Sequence, residues 1–253
     1  MDTPPIDDMP ALSNATSTLH TLTIELVDAN HILYDQGVVD AFGHVSVRLP
    51  DRSDHFLLAA NLAPASVKAR DIIEFDLDAR PVRDTCRRLY AERYIHSEIY
   101  RARPDVNAIV HSHAPALLPF CITQRSPLRP VCHMSGFLGG GTPLFEIRDF
   151  AGMASDLLVR SRELGAALAR TLGTSALVLM RGHGATTVAA SLKVAVYRAV
   201  YAEMNARVQL DAERHGPVTY LSAEEGDATA AANEGQVDRP WQLWTAEARR
   251  ART

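Results

Sequence analysis

The sequence predicts a one-domain α/β protein in which a mixed central sheet lies between helical layers. Three observations predict it. Apolar residues recur at steps of three and four through several long segments, as on helices. Short segments between them alternate or are wholly apolar, as strands do. The two kinds of segment follow one another without strict βαβ regularity. With 253 residues, 47% of them hydrophobic, the chain can bury one sizeable core. No linker near its middle divides it.

The elements follow in order. Residues 1–16 are acidic and Pro-rich and read as a flexible arm. From Ser17 to Gln36, Leu19, Leu22, Leu26, Ala29 and Leu33 mark an amphipathic helix, and Gly37 is placed to stop it. Gly43 to Leu49 alternates: Val45, Val47 and Leu49 share one face of a strand, His44, Ser46 and Arg48 the other. His55–Ala59 and Asp71–Leu77 read as further strands, with Asp78–Pro81 a turn. Arg87–Arg103 reads as a helix, broken by Pro104–Asn107. Ala108–His113 is a strand, and Pro115 and Pro119 mark its exit. The stretch 121–152 is irregular, with Gly139–Gly141 and Pro143. Ser155–Thr171 reads as a helix with Leu157, Leu158, Leu164, Ala167 and Leu168 on its apolar face, ended by Gly173. Ala176–Met180 is a buried strand, Arg181–Gly184 a strand-to-helix turn, and Leu192–His215 a long helix. After Ser222 the chain reads as loop, with Trp241 and Trp244 in a short final segment. Those two either pack on their own core or cap a neighbouring subunit. The expected organisation is an arm at 1–16, a domain at 17–220 and a tail at 221–253. No internal repeat is evident.

Composition excludes several function classes. Net charge is −4 and the isoelectric point near 6.2. Lys and Arg are scattered, and the Arg pairs at 87–88 and 249–250 are too short for a nucleic-acid face. No apolar run approaches the ~20 residues of a membrane span. The N-terminus has no apolar core of a secretory signal. Cys86, Cys121 and Cys132 cannot close a disulfide framework. The expected compartment is the cytoplasm.

The chemistry-bearing residues are histidines. His111 and His113 are two apart on a strand, so alternation turns both imidazoles to one face. Neutral imidazoles suit zinc and other first-row ions. Alone, the pair fits two hydrogen-bonded histidines at a strand end equally well. His183 strengthens it, because it stands between Gly182 and Gly184 in a turn where functional side chains are commonly presented. Glu92 lies nineteen residues before His111, on the helix that returns into the histidine strand, with His96 on the same face.

Four segments occur in an order and spacing that resemble the class II aldolase/adducin family over residues 17–220: Gly43–Arg48 (GHVSVR), Glu92–His96 (ERYIH), Arg103–His113 (RPDVNAIVHSH) and Arg181–Gly184 (RGHG). The resemblance implies a three-layer α/β/α sandwich with a mostly antiparallel central sheet, and usually a homotetramer. It implies one divalent metal ion per subunit, held by His111, His113 and His183. Zinc or manganese is expected, with iron or cobalt compatible. It implies that Glu92 is the catalytic acid/base, able to touch the metal when no substrate is present.

The sequence departs from the sugar-phosphate members of that family. They have Asn where this chain has His44, a Thr-Gly turn roughly at Ala60 and Asn61, and two serines where Tyr90 and Ala91 stand. A phosphate dianion needs several donors at once, which Ala and Tyr do not replace. His44, Ser46, Arg48, Tyr90, Arg93 and His96 instead offer cationic or polar donors and an aromatic face. That set suits a flat carboxylate, and Arg matches carboxylates bidentately. The segment His133–Gly141 and the Gly43-His44 pair resemble the decarboxylating branch, which removes CO2 from hydroxylated aromatic or pyridine carboxylates or related ring-cleavage products. The expected reaction is metal-dependent decarboxylation of a small hydroxylated aromatic or pyridine (di)carboxylate. Arg48 would fix a second carboxylate, and Glu92, His96 or His44 would deliver the proton. Two alternatives stand beside it. One is an aldolase or epimerase acting on a sugar or sugar phosphate. The other is a non-catalytic interaction domain like the adducin heads, which have generally lost the metal ligands that this chain keeps.

Overall fold

A computed structural model describes residues 10–123 and 127–252. The first helix, α1 (Pro10–Asp35), buries Leu26, Ala29 and Leu33 as its spacing predicts. It begins seven residues before Ser17 and so takes in part of the expected arm; residues 1–9 lie outside the described residues. Then come β1 (His44–Leu49), β2 (Arg52–Ala59), β3 (Ile72–Asp76), α2 (Arg93–Ala102) and β4 (Ala108–Ser112). The irregular stretch holds α3 (Leu118–Ile122), a 3-10 turn at His133–Leu138, β5 (Leu144–Phe145) and α4 (Arg148–Ala151). The chain continues through α5 (Arg162–Leu172), β6 (Leu177–Met180), β7 (Gly184–Ala189), α6 (Leu192–His215), α7 (Ala223–Glu234) and α8 (Asp238–Arg250).

The seven strands form one sheet in the order β3-β2-β1-β4-β7-β6-β5. All neighbours are antiparallel except β5 and β6. Alternation sorts the strand residues between two cores. Val45, Val47, Leu49, Ala108 and Val110 pack with residues of α1, α6 and α8 on one face. Phe56, Leu58, Ile109, Val178 and Val188 pack with residues of α2 and α5 on the other. The result is the three-layer sandwich.

Four local expectations are corrected. The helix expected from Arg87 begins only at Arg93. Before it, the Arg88 carbonyl accepts from Asn61 N–H, and the Tyr90 hydroxyl donates to the Leu62 carbonyl. These long-range bonds hold the segment off a helical path. The helix expected from Ser155 begins only at Arg162, capped by Ser161, because Val159 N–H is bonded to Glu92 instead of to a helical carbonyl. Strand β7 fills the gap between the expected turn at Arg181–Gly184 and the helix from Leu192; it gains its hydrogen bonds from β4 and β6 on its two sides. The expected loop after Ser222 is two helices. Ser222 and Glu225 form a reciprocal capping box at the start of α7. Trp241 and Trp244 on α8 are buried within the core shared by α1 and α6.

Candidate metal centre

The site is assembled by strand register. In the sheet His44 pairs with His111, and His111 with Thr186. Paired residues project side by side, so these three share the face covered by α2 and α5. His113 follows β4 by one residue and returns to that face. His183 sits in the turn between β6 and β7, a hairpin turn rather than the strand-to-helix turn expected. Gly182 takes φ +64° there, and a Cβ on Gly184 would collide with the Ser112 carbonyl. Glu92 stands at the N-terminal boundary of α2, not within its helical turns.

Four residues converge. The His111 Nε2 lies 3.3 Å from that of His113 and 3.2 Å from that of His183. Glu92 Oε2 lies 3.5 Å from His183 Nε2 and 3.8 Å from His111 Nε2. Ligand atoms about 2.1 Å from a tetrahedral ion stand ~3.4 Å from each other, so this donor set matches one small divalent cation. Among the described residues it is the group of His, Cys, Asp and Glu that could hold one.

The outer bonds fix which nitrogens face inward. His183 Nδ1 donates to the Leu157 carbonyl at 2.7 Å. Leu157 has φ +67°, a left-handed conformation costly for leucine. His111 Nδ1 is 3.1 Å from Thr186 Oγ1, whose own hydroxyl is directed at Met180 Sδ. His111 is therefore the Nδ1 donor, and its Nε2 lone pair points at the other ligands. Glu92 Oε1 accepts from Val159 N–H at 2.9 Å, leaving Oε2 toward the histidines. Burial pushes His111 well below its ordinary pKa range, with His44 and His183 adding to the effect. Burial and His183 also lower His113. His183 moves up: burial acts downward, but the Glu92 carboxylate and the Leu157 carbonyl outweigh it. Converging neutral acceptors at this spacing repel one another unless a cation or proton lies between them.

The other sequence candidates divide. His44 stacks on His111 with ring centroids 4.9 Å apart, and Tyr90 tilts against His44 at 4.7 Å. These two rings form an aromatic wall beside the histidine cluster. His96 and Ser46 are fully buried behind His44, so His96 reaches the site only through that ring. The Arg48 guanidinium is taken up by backbone carbonyls: Nε donates to that of Val106, Nη1 to that of Ser53, and Nη2 to those of Tyr100 and Arg103. Arg93 is tied likewise to the carbonyls of Ala79 and Tyr90 and to the Tyr94 hydroxyl. Both guanidiniums pin loops to the sheet. Sequence reasoning missed Thr186, which lies on the unread strand, and the backbone groups of Leu157 and Val159, which carry no side-chain signal. It also missed Phe42, an exposed ring 6.3 Å from that of His113.

Comparison with known proteins places this geometry. The model of the Class II Aldolase and Adducin N-terminal domain matches residues 24–210. The decarboxylase tropJ of Talaromyces stipitatus is 41% identical over 240 residues, covering 86% of this chain and 90% of its own. A 3,4-dihydroxyphthalate decarboxylase of Arthrobacter keyseri is 30% identical over 203 residues, covering 74% and 77%. Among solved structures, the L-fuculose 1-phosphate aldolase from Glaciozyma antarctica PI12 shares the fold, with TM-score 0.74, 23% identity, and coverage of 96% and 93%.

Proposed function

Because the chain belongs to the class II aldolase and adducin family, we propose that it is a carboxy-lyase: a divalent-metal-dependent decarboxylase of a small hydroxylated aromatic or pyridine carboxylate. The observation that carries this reading is the aromatic wall. His44 stands against His111, and Tyr90 against His44, where a phosphate dianion would require several small donors. A flat ring can lie along that wall. The decarboxylase relatives support the reaction class.

His111, His113 and His183 would hold the metal through their Nε2 atoms, with Glu92 beside it. When bound, the ion supplies Lewis-acid stabilisation of negative charge developing on a substrate oxygen. The protein's own groups do the rest. The wall orients the ring, with its carboxylate and neighbouring hydroxyl toward the histidine cluster. Glu92 Oε2, held in place through Oε1, takes the hydroxyl proton and returns it to the ring carbon that bears the carboxylate. The bond to the carboxylate then breaks, its electron pair stays with the ring, and CO2 leaves. Solvent restores the proton on the product hydroxyl. His96 is buried too far back to serve as the acid, and Arg48 and Arg93 hold no second carboxylate.

We place the enzyme in the cytoplasm as a homotetramer. Among the described residues no helix is long and apolar enough to cross a membrane. Light scattering should give four times the chain mass of 27.7 kDa. The reaction is tested by incubating metal-loaded protein with ortho-hydroxylated phthalates and pyridine dicarboxylates while measuring CO2. Sugar phosphates are run in parallel for aldehyde release. CO2 from the aromatic acids is expected. Turnover of sugar phosphates alone would replace this reading with an aldolase.

A further inference from the structure

A row of buried side chains leads away from the aromatic wall. His44 Nδ1 lies 2.6 Å from His96 Nε2, His96 Nδ1 lies 2.7 Å from Ser46 Oγ, and Ser46 Oγ lies 2.7 Å from the Tyr100 hydroxyl. Each contact needs one donor and one acceptor, and the Ser46 hydroxyl can accept twice, so the row has three proton arrangements. In the first, His44 donates to His96, His96 to Ser46, and Ser46 to Tyr100. The Tyr100 proton is then left without an acceptor among the described residues, on a side chain only 1% exposed. In the second, Tyr100 donates to Ser46, Ser46 to His96 Nδ1, and His96 Nε2–H to His44 Nδ1. The proton left over is then the His44 Nε2–H, on a ring edge that is not sealed from solvent. In the third, His44 and His96 donate as in the first while Tyr100 donates to Ser46, whose own proton is left unpaired on a fully buried side chain. A buried donor left unpaired is costly, so the second arrangement prevails. The Arg48 guanidinium, 4.6 Å over the Tyr100 ring, favours it further by making the phenol a better donor. Burial brings His96 down to about 3, so that ring is neutral and its tautomer is well defined.

We infer that this row locks His44 as the Nε2–H tautomer, making His44 a hydrogen-bond donor to a substrate oxygen beside the metal ligands. His96, Ser46 and Tyr100 are positioning residues. Among the described residues nothing else takes the His44 Nε2, and its ring is flanked by His111 and Tyr90. The identity of the oxygen, a carboxylate or phenolate, rests on the decarboxylase reading; the tautomer does not. Holding Nε2–H, His44 cannot serve as a general base. It acts as a neutral electrophile, and the proton traffic falls to Glu92.

The test uses the full zinc-loaded chain labelled with 15N-histidine, His44 being assigned by the signals lost in His44→Gln. Long-range proton–nitrogen correlation should show His44 protonated at Nε2 and bare at Nδ1. A wild-type His44 protonated at Nδ1 would overturn the inference. In Ser46→Ala the His44 nitrogens should move toward the average of the two tautomers, with kcat falling at unchanged metal content. A fall in kcat with the tautomer unchanged would sink the relay. On a hydroxylated aromatic carboxylate, His44→Leu should lose roughly 100-fold in kcat/KM, and His44→Gln, which keeps an N–H at similar reach, should recover most of it. Equal losses in both variants would refute the donor role. The nitrogen spectrum needs no substrate, so absent CO2 release alongside the expected tautomer would count against the decarboxylase reading alone.

Discussion

Truncating His113 removes one of the two nitrogens that stand 3.2–3.3 Å from His111 Nε2. His113→Ala should lower retained metal by at least about tenfold after dialysis, measured by elemental analysis. Full metal content in that variant would contradict the ligand assignment. Glu92 divides its work between two oxygens, one fixed by Val159 and one facing the histidines. Glu92→Gln keeps the size and one acceptor but cannot cycle a proton. CO2 release should fall by roughly 10²–10⁴-fold while most of the metal remains. At this scale the four side chains that converge in the fold were already marked in the sequence, the histidines by type and spacing and Glu92 by the family resemblance. Arg48 and Arg93 show the opposite. Their charge suggested a carboxylate partner, yet each guanidinium is taken up by carbonyls that only the folded chain brings near.

The β6–β7 hairpin is the element that delivers His183, and it packs against the end of β4 that delivers His113. Gly184 makes that contact possible, since any Cβ there meets the Ser112 carbonyl and comes within 3.0 Å of the His113 ring. Gly184→Ala should part the two strands and spread the ligands. We expect bound metal to fall several-fold and the protein to lose about 1–3 kcal/mol of stability, read by metal titration and denaturant unfolding. A variant with unchanged affinity would show that the hairpin does not set the geometry. Long elements such as α1 and α6 are legible in the sequence. β7 is not, since its hydrogen bonds come from strands distant in sequence. The late starts of α2 and α5 have the same origin: Asn61 and Leu62 hold the chain before α2, and Glu92 holds Val159 before α5.

The molecule as a whole concentrates neutral histidines. His44, His96, His111 and His113 are all lowered, chiefly by burial, and His96 falls from 6.5 to about 3. For each, the unfolded chain binds a proton more readily than the fold. Their stabilisation is therefore present above pH 6.5 and is lost as pH falls below it, for His96 down to about 3. His183, whose pKa is raised, opposes this in sign, but it is one group against four. Metal-free protein should lose stability below pH 6.5 by up to about 1.4 kcal/mol per pH unit for each such histidine, followed by urea midpoints. A midpoint that stays constant or rises on acidification from pH 6.5 to 4 would contradict the buried placement of these rings. The C-terminal helices belong to the same whole. Arg249 pairs with Asp28 at 2.6 Å, and Trp241 and Trp244 close the core over α1 and α6, so the expected tail is part of the fold.

The sequence by itself determined the fold class and singled out the histidine trio, through periodicity, residue type and spacing, which a linear chain displays directly. The role of Glu92 and the expected departure from phosphate substrates came from the family resemblance. Only the tertiary structure decided which polar side chains face the site and which are structural. It turned Arg48 and Arg93 into clamps, set Thr186 and Leu157 behind the ligands, and aligned His44, His96, Ser46 and Tyr100 into one buried row. The physical reason is pairing. A donor's role is fixed by the acceptor it meets, and here most acceptors are backbone groups or side chains from distant segments.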